Sequence, residues 1–203
     1  MRLIITVFLA LPLVALSQPE SLPLDNANAA IEATEFQKAI SILTKAIQDT
    51  PKSKRAFNLR GYAKNQLGDF YGAIGDYNFA LEIDSTFAEA LNNRGEAKFN
   101  LGDDYAAIED FDKALRFKKD FYLAYSNRGF AKYNIDDLEG AYFDFSKAIE
   151  LDPKDSDKYF NRAVIKAELE EFISAIDDYN KSIKLNDSTA EVYNYRGVAK
   201  YNV

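Results

Sequence analysis

The chain contains no cysteine and no histidine. The first absence removes disulfides, thiolate nucleophiles and thiolate metal sites, and the second removes imidazole as an acid–base group or zinc ligand. Basic residues are the minority: 25 Lys and Arg against 32 Asp and Glu give a net charge of -7. The cations are dispersed along the chain, which argues against nucleic acid or an anionic lipid surface as partner. There is no phosphate-cradling G-x-x-x-x-G-K and no dinucleotide fingerprint. No loop gathers the oxygen ligands that calcium needs at close spacing. Carboxylate chemistry is the one catalytic route left open by composition. Nothing else supports it, so the chain reads as non-enzymatic, with no cofactor or metal implied.

Long apolar runs are also missing, with one exception at the start. Leu3 to Leu16 is interrupted only by Thr6 and Pro12, follows a positive Met1-Arg2, and leads into the small residues of Ala15-Leu16-Ser17. This pattern reads as a signal peptide over residues 1–17, cleaved before Gln18. A retained anchor is the alternative, but the run is short for a span of about 20 residues and Pro12 breaks it. The expected mature chain is secreted or periplasmic, without stable membrane insertion. Its apolar content, 47% in the whole chain, is ample for a buried core.

What the chain does have is a period. Arg60, Arg94, Arg128, Arg162 and Arg196 are spaced by 34 residues. Gly61, Gly95, Gly129 and Gly197 follow four of them, with Ala163 in the remaining place. Lys64, Lys98, Lys132, Lys166 and Lys200 keep step, as do Ala73, Ala107, Ala141 and Ala175, and Asp76, Asp110, Asp144 and Asp178. Self-similarity of this length signals a solenoid or array.

Within one unit, Ala90, Leu91, Gly95, Ala97 and Leu101 mark one face of a first helix. Gly102-Asp103 then punctuates, and Asp104, Ala107, Ile108, Phe111, Ala114 and Leu115 follow at helical spacing. Each unit is therefore expected to be two antiparallel helices of about 13 residues. Gly95 is expected against Ala107 and Ala114, where neither side offers bulk, with Phe111 filling the gap toward the next unit. Pro153 falls in an inter-unit turn, where a missing N–H does no harm.

Asn127-Arg128-Gly129-Phe130-Ala131-Lys132 and Phe145-Ser146-Lys147-Ala148-Ile149-Glu150-Leu151-Asp152-Pro153 resemble the tetratricopeptide repeat, in the variant N-R-G-x-A-K…A-I-x-D-Y-x-K-A-I-x-L-D-P. The resemblance implies an all-α fold, a right-handed superhelical solenoid of antiparallel helix pairs. Full repeats are expected at 54–87, 88–121, 122–155 and 156–189. Residues 18–53 are expected to form a degenerate first repeat or cap, whose short first helix near Asp25 to Ala33 is preceded by Pro23. Residues 190–203 are expected to be a partial repeat or capping helix.

Four of the five repeated arginines are followed 16 residues later by Asp, giving Arg60/Asp76, Arg94/Asp110, Arg128/Asp144 and Arg162/Asp178. These read as a structural ion-pair ladder, because a partly buried guanidinium needs its donors satisfied. The register is open, since Asp76 could equally meet Arg94. The repeated lysines are expected to lay their stems on apolar surface with their heads in water.

Opposite the core, the first helix of each unit projects its second, fifth, sixth, ninth, twelfth and thirteenth residues together. In the family this face lines a concave groove that takes an extended or helical partner segment. Asn93, Asn127 and Asn161 recur at one groove position. A stacked amide row could pair with a peptide backbone, as some members do, or Asn could simply suit that position locally. Tyr62, Phe99, Phe130 and Tyr133 are aromatics on the same face and candidate anchors. One subclass grips a partner's terminal carboxylate. Here the corresponding places hold Asn58 with Tyr62, then Asn93, then Leu123 with Asn127, and only Asn93 fits. Glu89, Glu96, Asp157 and Glu168 outnumber Arg55 on this face, so a neutral or basic partner segment is favoured.

The last helix, with Tyr193, Gly197 and Tyr201, still follows the stacking pattern. It could serve as a cap, belong to a longer array, or support self-association. The function expected is an exported protein-interaction scaffold. The alternative is a subunit of a cell-envelope or secretion assembly.

Overall fold

The computed structural model describes residues 21–185 and 189–203. The expected signal peptide lies outside them. Among the described residues there are eleven α-helices and no strand. They are α1 (Ser21–Glu32), α2 (Phe36–Asp49), α3 (Lys54–Gln66), α4 (Phe70–Ile83), α5 (Ala88–Asn100), α6 (Asp104–Phe117), α7 (Tyr122–Asn134), α8 (Leu138–Leu151), α9 (Ser156–Glu168), α10 (Phe172–Leu185) and α11 (Ala190–Tyr201). None of these is long and apolar enough to cross a membrane.

The turns explain why the chain breaks where it does. Asp69, Asp103 and Asp137 cap α4, α6 and α8 by accepting from the backbone N–H of Gly72, Ala106 and Gly140 at 3.0, 3.2 and 3.0 Å. The residue before each cap takes a left-handed conformation, Gly68 and Gly102 at φ 80° and Asp136 at φ 62°. Thr34 and Glu170 hold the same place at φ 57° and 61°. This one reversal folds the second helix of each pair back on the first. Helix α1 starts earlier than the sequence implies, and Pro23 lies inside its first turn, where no intrahelical N–H bond is lost.

Consecutive helices pack along the whole chain, and α1 also meets α3, α3 meets α5, α5 meets α7 and α9 meets α11. The odd-numbered helices thus form one layer and the even-numbered helices another. The interior is alanine-rich. Ala73, Ala107, Ala141 and Ala175 are fully buried, as are Ala80, Ala114 and Ala148, with Ser182 fully buried in the equivalent place of α10. The bulk comes from Tyr77, Phe111, Phe145 and Tyr179, each essentially fully buried.

These rings correct the expected role of the helical glycines. A Cβ on Gly95 would lie 2.7 Å from the Phe111 ring, and one on Gly61 2.7 Å from Tyr77. The bare backbone therefore seats an aromatic face rather than facing alanines alone. The Phe111 ring also clusters with Ala131 of the next pair, so one side chain ties two units.

The ion-pair ladder runs within each helix pair. Arg94 Nε and Nη2 donate to Asp110 Oδ2 and Oδ1 at 2.7 and 2.6 Å, and Arg60/Asp76, Arg128/Asp144 and Arg162/Asp178 repeat the fork. The third nitrogen reaches back to the preceding pair. Arg94 Nη1 donates to Asn78 Oδ1 at 2.7 Å, and Arg60, Arg128, Arg162 and Arg196 reach Thr44, Asp112, Ser146 and Asn180. The lysines depart from expectation. Lys64, Lys98, Lys132 and Lys166 turn inward to the same aspartates at 2.8, 2.7, 2.9 and 2.8 Å. The cause is local: Arg and Lys four residues apart share a helix face, so both cations meet one carboxylate. Burial opposes ionisation of Asp110, yet hydrogen bonds and charge from Arg94 and Lys98 outweigh it and hold the carboxyl below its ordinary range.

Candidate functional site

The exposed face of the odd-numbered helices carries the candidate groove, and their side-by-side packing decides which residues reach it. Asn58 and Asn92, at the fifth position, are buried in the seams between neighbouring helices, at 9% and 3% exposure. Asn65, at the twelfth position, is also buried. The sequence placed all three on the open face. Each neighbouring first helix covers them.

The recurring asparagines lie half-buried along the seams. Asn93 Nδ2 donates to Asn58 Oδ1 at 3.1 Å, Asn92 Nδ2 to Asn93 Oδ1 at 3.3 Å, and Asn127 Nδ2 to Asn92 Oδ1 at 3.2 Å. Four amides therefore form one chain across α7, α5 and α3. This spends part of the row on stacking the helices. Asn127 keeps its carbonyl free and Asn93 its second N–H among the described residues. Asn161 is outside the chain, because Ser126 stands where Asn92 would bind it.

The aromatics divide as well. Phe130 is the most open, 37% exposed, with its ring edge-on to Phe145 at 5.1 Å between centroids. Phe99 packs on the cluster of Ala107, Phe111 and Ala131 and is partly a core residue. Tyr133 packs beside Phe145 and donates its hydroxyl to Glu168 Oε1 at 2.6 Å. That bond pushes the phenol up to about 12. Tyr62 is half-buried on α3. Leu123, 44% exposed at the start of α7, is a further apolar residue two turns before Phe130.

The acids of this face are mostly engaged. Glu89 Oε1 accepts from Lys118 Nζ at 2.8 Å, and Glu168 is held by Tyr133. Glu96 Oε1 accepts from Asn65 Nδ2 at 3.0 Å. Burial raises the Glu96 carboxyl above its usual range, and the Asn65 hydrogen bond offsets this only partly. The Glu96 environment escaped the sequence reading, since position counting along one helix does not show what the next helix covers. Among the described residues no group of three or more acids is placed to hold a metal ion. A shallow cleft of about 670 Å³ lies apart from the asparagine row, between α1, the start of α3 and the end of α4. Its charged pair, Lys54 and Asp84, is already mutually satisfied.

These features define a class: an α-solenoid of stacked helix–turn–helix units, with a polar and aromatic face on one layer and arginine staples between units. Family models described as TPR repeat and Tetratricopeptide repeat match residues 61–102 and residues 88–121, 122–155 and 159–189 respectively. The chain belongs to the tetratricopeptide repeat family. Solved structures agree on the fold. PilF of Pseudomonas aeruginosa superposes with a TM-score of 0.79 at 17% identity, covering 90% of this chain and 88% of that one. A tetratricopeptide repeat protein from Parabacteroides merdae gives 0.72 at 24% identity, covering 92% and 73%. YrrB, described as having an unusual peptide-binding site, gives 0.68 at 18% identity, covering 86% and 90%.

Proposed function

We propose that this protein is an exported scaffold that holds an extended or helical segment of another protein in the groove lined by α3, α5, α7 and α9. The observation that carries the reading is the pairing of an open aromatic, Phe130, with unspent amide groups on Asn93 and Asn127 along one face. Apolar anchors beside backbone-pairing amides suit a peptide main chain with one or two inserted side chains. Tetratricopeptide repeats are typically non-catalytic scaffolds, and YrrB is a family member with a peptide-binding site. Export rests on the N-terminal apolar run, and sequencing the mature N-terminus should give Gln18.

The test is crosslinking in the native compartment, with the wild type and with Asn127→Ala and Phe130→Ala. The variants should lose the partners the wild type captures while keeping its helical circular dichroism. Unchanged capture contradicts the groove. A second reading, stacking through α11, is favoured by one observation. Tyr193, Val198 and Tyr201 are exposed there, and nothing lies within 4 Å of a Cβ built on Gly197, the place where other units seat a ring. A sedimentation experiment that finds concentration-dependent oligomers abolished by Gly197→Arg supports it.

A further inference from the structure

Glu96 differs from the aspartates of the ladder and from Glu89 in its partners. Asp76, Asp110, Asp144 and Asp178 each receive an arginine and a lysine, and Glu89 receives Lys118. Among the described residues no cation comes within ion-pair distance of Glu96, and its hydrogen-bond partner is the neutral Asn65 amide. A carboxylate removed from water without a counter-charge is costly, and this one also has an elevated pKa because of its burial.

The wall around it is unsatisfied in the same sense. Asn65 is 5% exposed and its Oδ1 has no hydrogen-bond partner; Tyr77 is fully buried and its hydroxyl has none. Both belong to the Glu96 corner. Asn65 bonds it directly, and Tyr77 is near enough that the Glu96 charge opposes ionisation of its phenol. A glutamate without a cation and two orphaned buried oxygens thus lie on the neighbouring helices α3, α4 and α5, with Glu96 the member that reaches the surface. One unit further on, the equivalents of Asn65, Tyr77 and Glu96 are Phe99, Phe111 and Phe130. An orphaned buried hydroxyl recurs at Tyr179, but the places equivalent to Asn65 and Glu96 there are Ala167 and Val198.

We propose that Glu96 anchors a lysine or arginine side chain of the bound partner segment, next to an apolar side chain seated on Phe99 and Phe130. The inference rests on the groove reading above. An ammonium or guanidinium carries a positive charge and only donors, so it supplies the counter-charge that Glu96 lacks. Packed helices lie about 8–10 Å apart, and an extended chain advances about 3.3 Å per residue. The cation and the apolar residue are therefore about three residues apart in an extended segment.

The probe is a phage-displayed library of random 12-residue peptides selected on the whole protein, with affinities of the selected peptides then measured by fluorescence polarisation. Enrichment of Lys or Arg three residues from an apolar residue is expected. Glu96→Gln should weaken these peptides at least about tenfold, and replacing the peptide cation by Gln should cost the same and add nothing in Glu96→Gln. Circular dichroism of Glu96→Gln should match the wild type, which excludes loss of fold. Peptides that require Phe130 yet bind Glu96→Gln as well as wild type overturn this inference alone. Failure to select any peptide, or peptides indifferent to Phe130→Ala, overturns the groove reading with it.

Discussion

Asp110→Asn removes the one anion that two cations share. In the structure Asp110 is fully buried, while the Arg94 and Lys98 side chains are 18% and 23% exposed. Removing one partner of a buried pair costs about 3–5 kcal/mol, because the remaining charge stays out of water. Here both cations keep some solvent contact, which trims the expected cost to about 2–4 kcal/mol. Arg94 also loses the orientation that brings its Nη1 to Asn78 of the preceding unit, so coupling between units should weaken too. With a urea m-value of roughly 2–3 kcal/mol per molar, the unfolding midpoint should fall by about 1 M or more. Replacing the whole cluster by apolar residues, Arg94→Met with Lys98→Leu and Asp110→Leu, should recover most of that loss. A single Asp110→Asn costing under about 0.5 kcal/mol would refute the idea that the aspartate is the hub of the ladder.

Gly95→Ala drives a Cβ into the Phe111 ring and should destabilise by about 1–3 kcal/mol, whereas Gly197→Ala meets nothing and should stabilise by about 0.5–1 kcal/mol. Thermal melts of the two variants should move in opposite directions. Glu170→Gly should stabilise by about 1 kcal/mol, since the left-handed turn strains any side chain there, and Gly102→Ala should cost a similar amount. The two acids respond to pH in opposite senses. Asp110 has a lowered pKa in the fold, so its contribution is present above the unfolded value near 3.9 and disappears as pH falls through the folded value. Glu96 has a raised pKa, so its ionised form weakens the fold. Glu96→Gln should melt higher at pH 7, with the advantage vanishing below about pH 4.3.

Much of the architecture was legible because the repeat writes the same constraint several times. One Arg-Gly step or one Arg-to-Asp spacing is weak, but the same step every 34 residues fixes a helix pair and its stacking. The Arg-to-Asp spacing announced a contact, yet its register was open until the guanidinium was seen to fork onto its own unit and reach back with its third nitrogen. The inward turn of Lys98 was available in principle, since it shares a face with Arg94 four residues away. Less of the groove was legible. Helical position alone put Asn58, Asn65 and Asn92 on the open face, because the wall that buries them comes from the neighbouring unit. The same neighbour makes the Glu96 corner, where residues 31 apart meet by one hydrogen bond.

The central claim is that the layer of odd-numbered helices receives the partner. Amide chemical-shift mapping of the isotope-labelled protein, titrated with a library-selected peptide, tests it most directly. The account predicts that perturbations gather on α3, α5 and α7 around Asn93, Glu96, Asn127 and Phe130. Perturbations gathered instead on the even-numbered helices, around the exposed Tyr71, Tyr105 and Ile173, would contradict it.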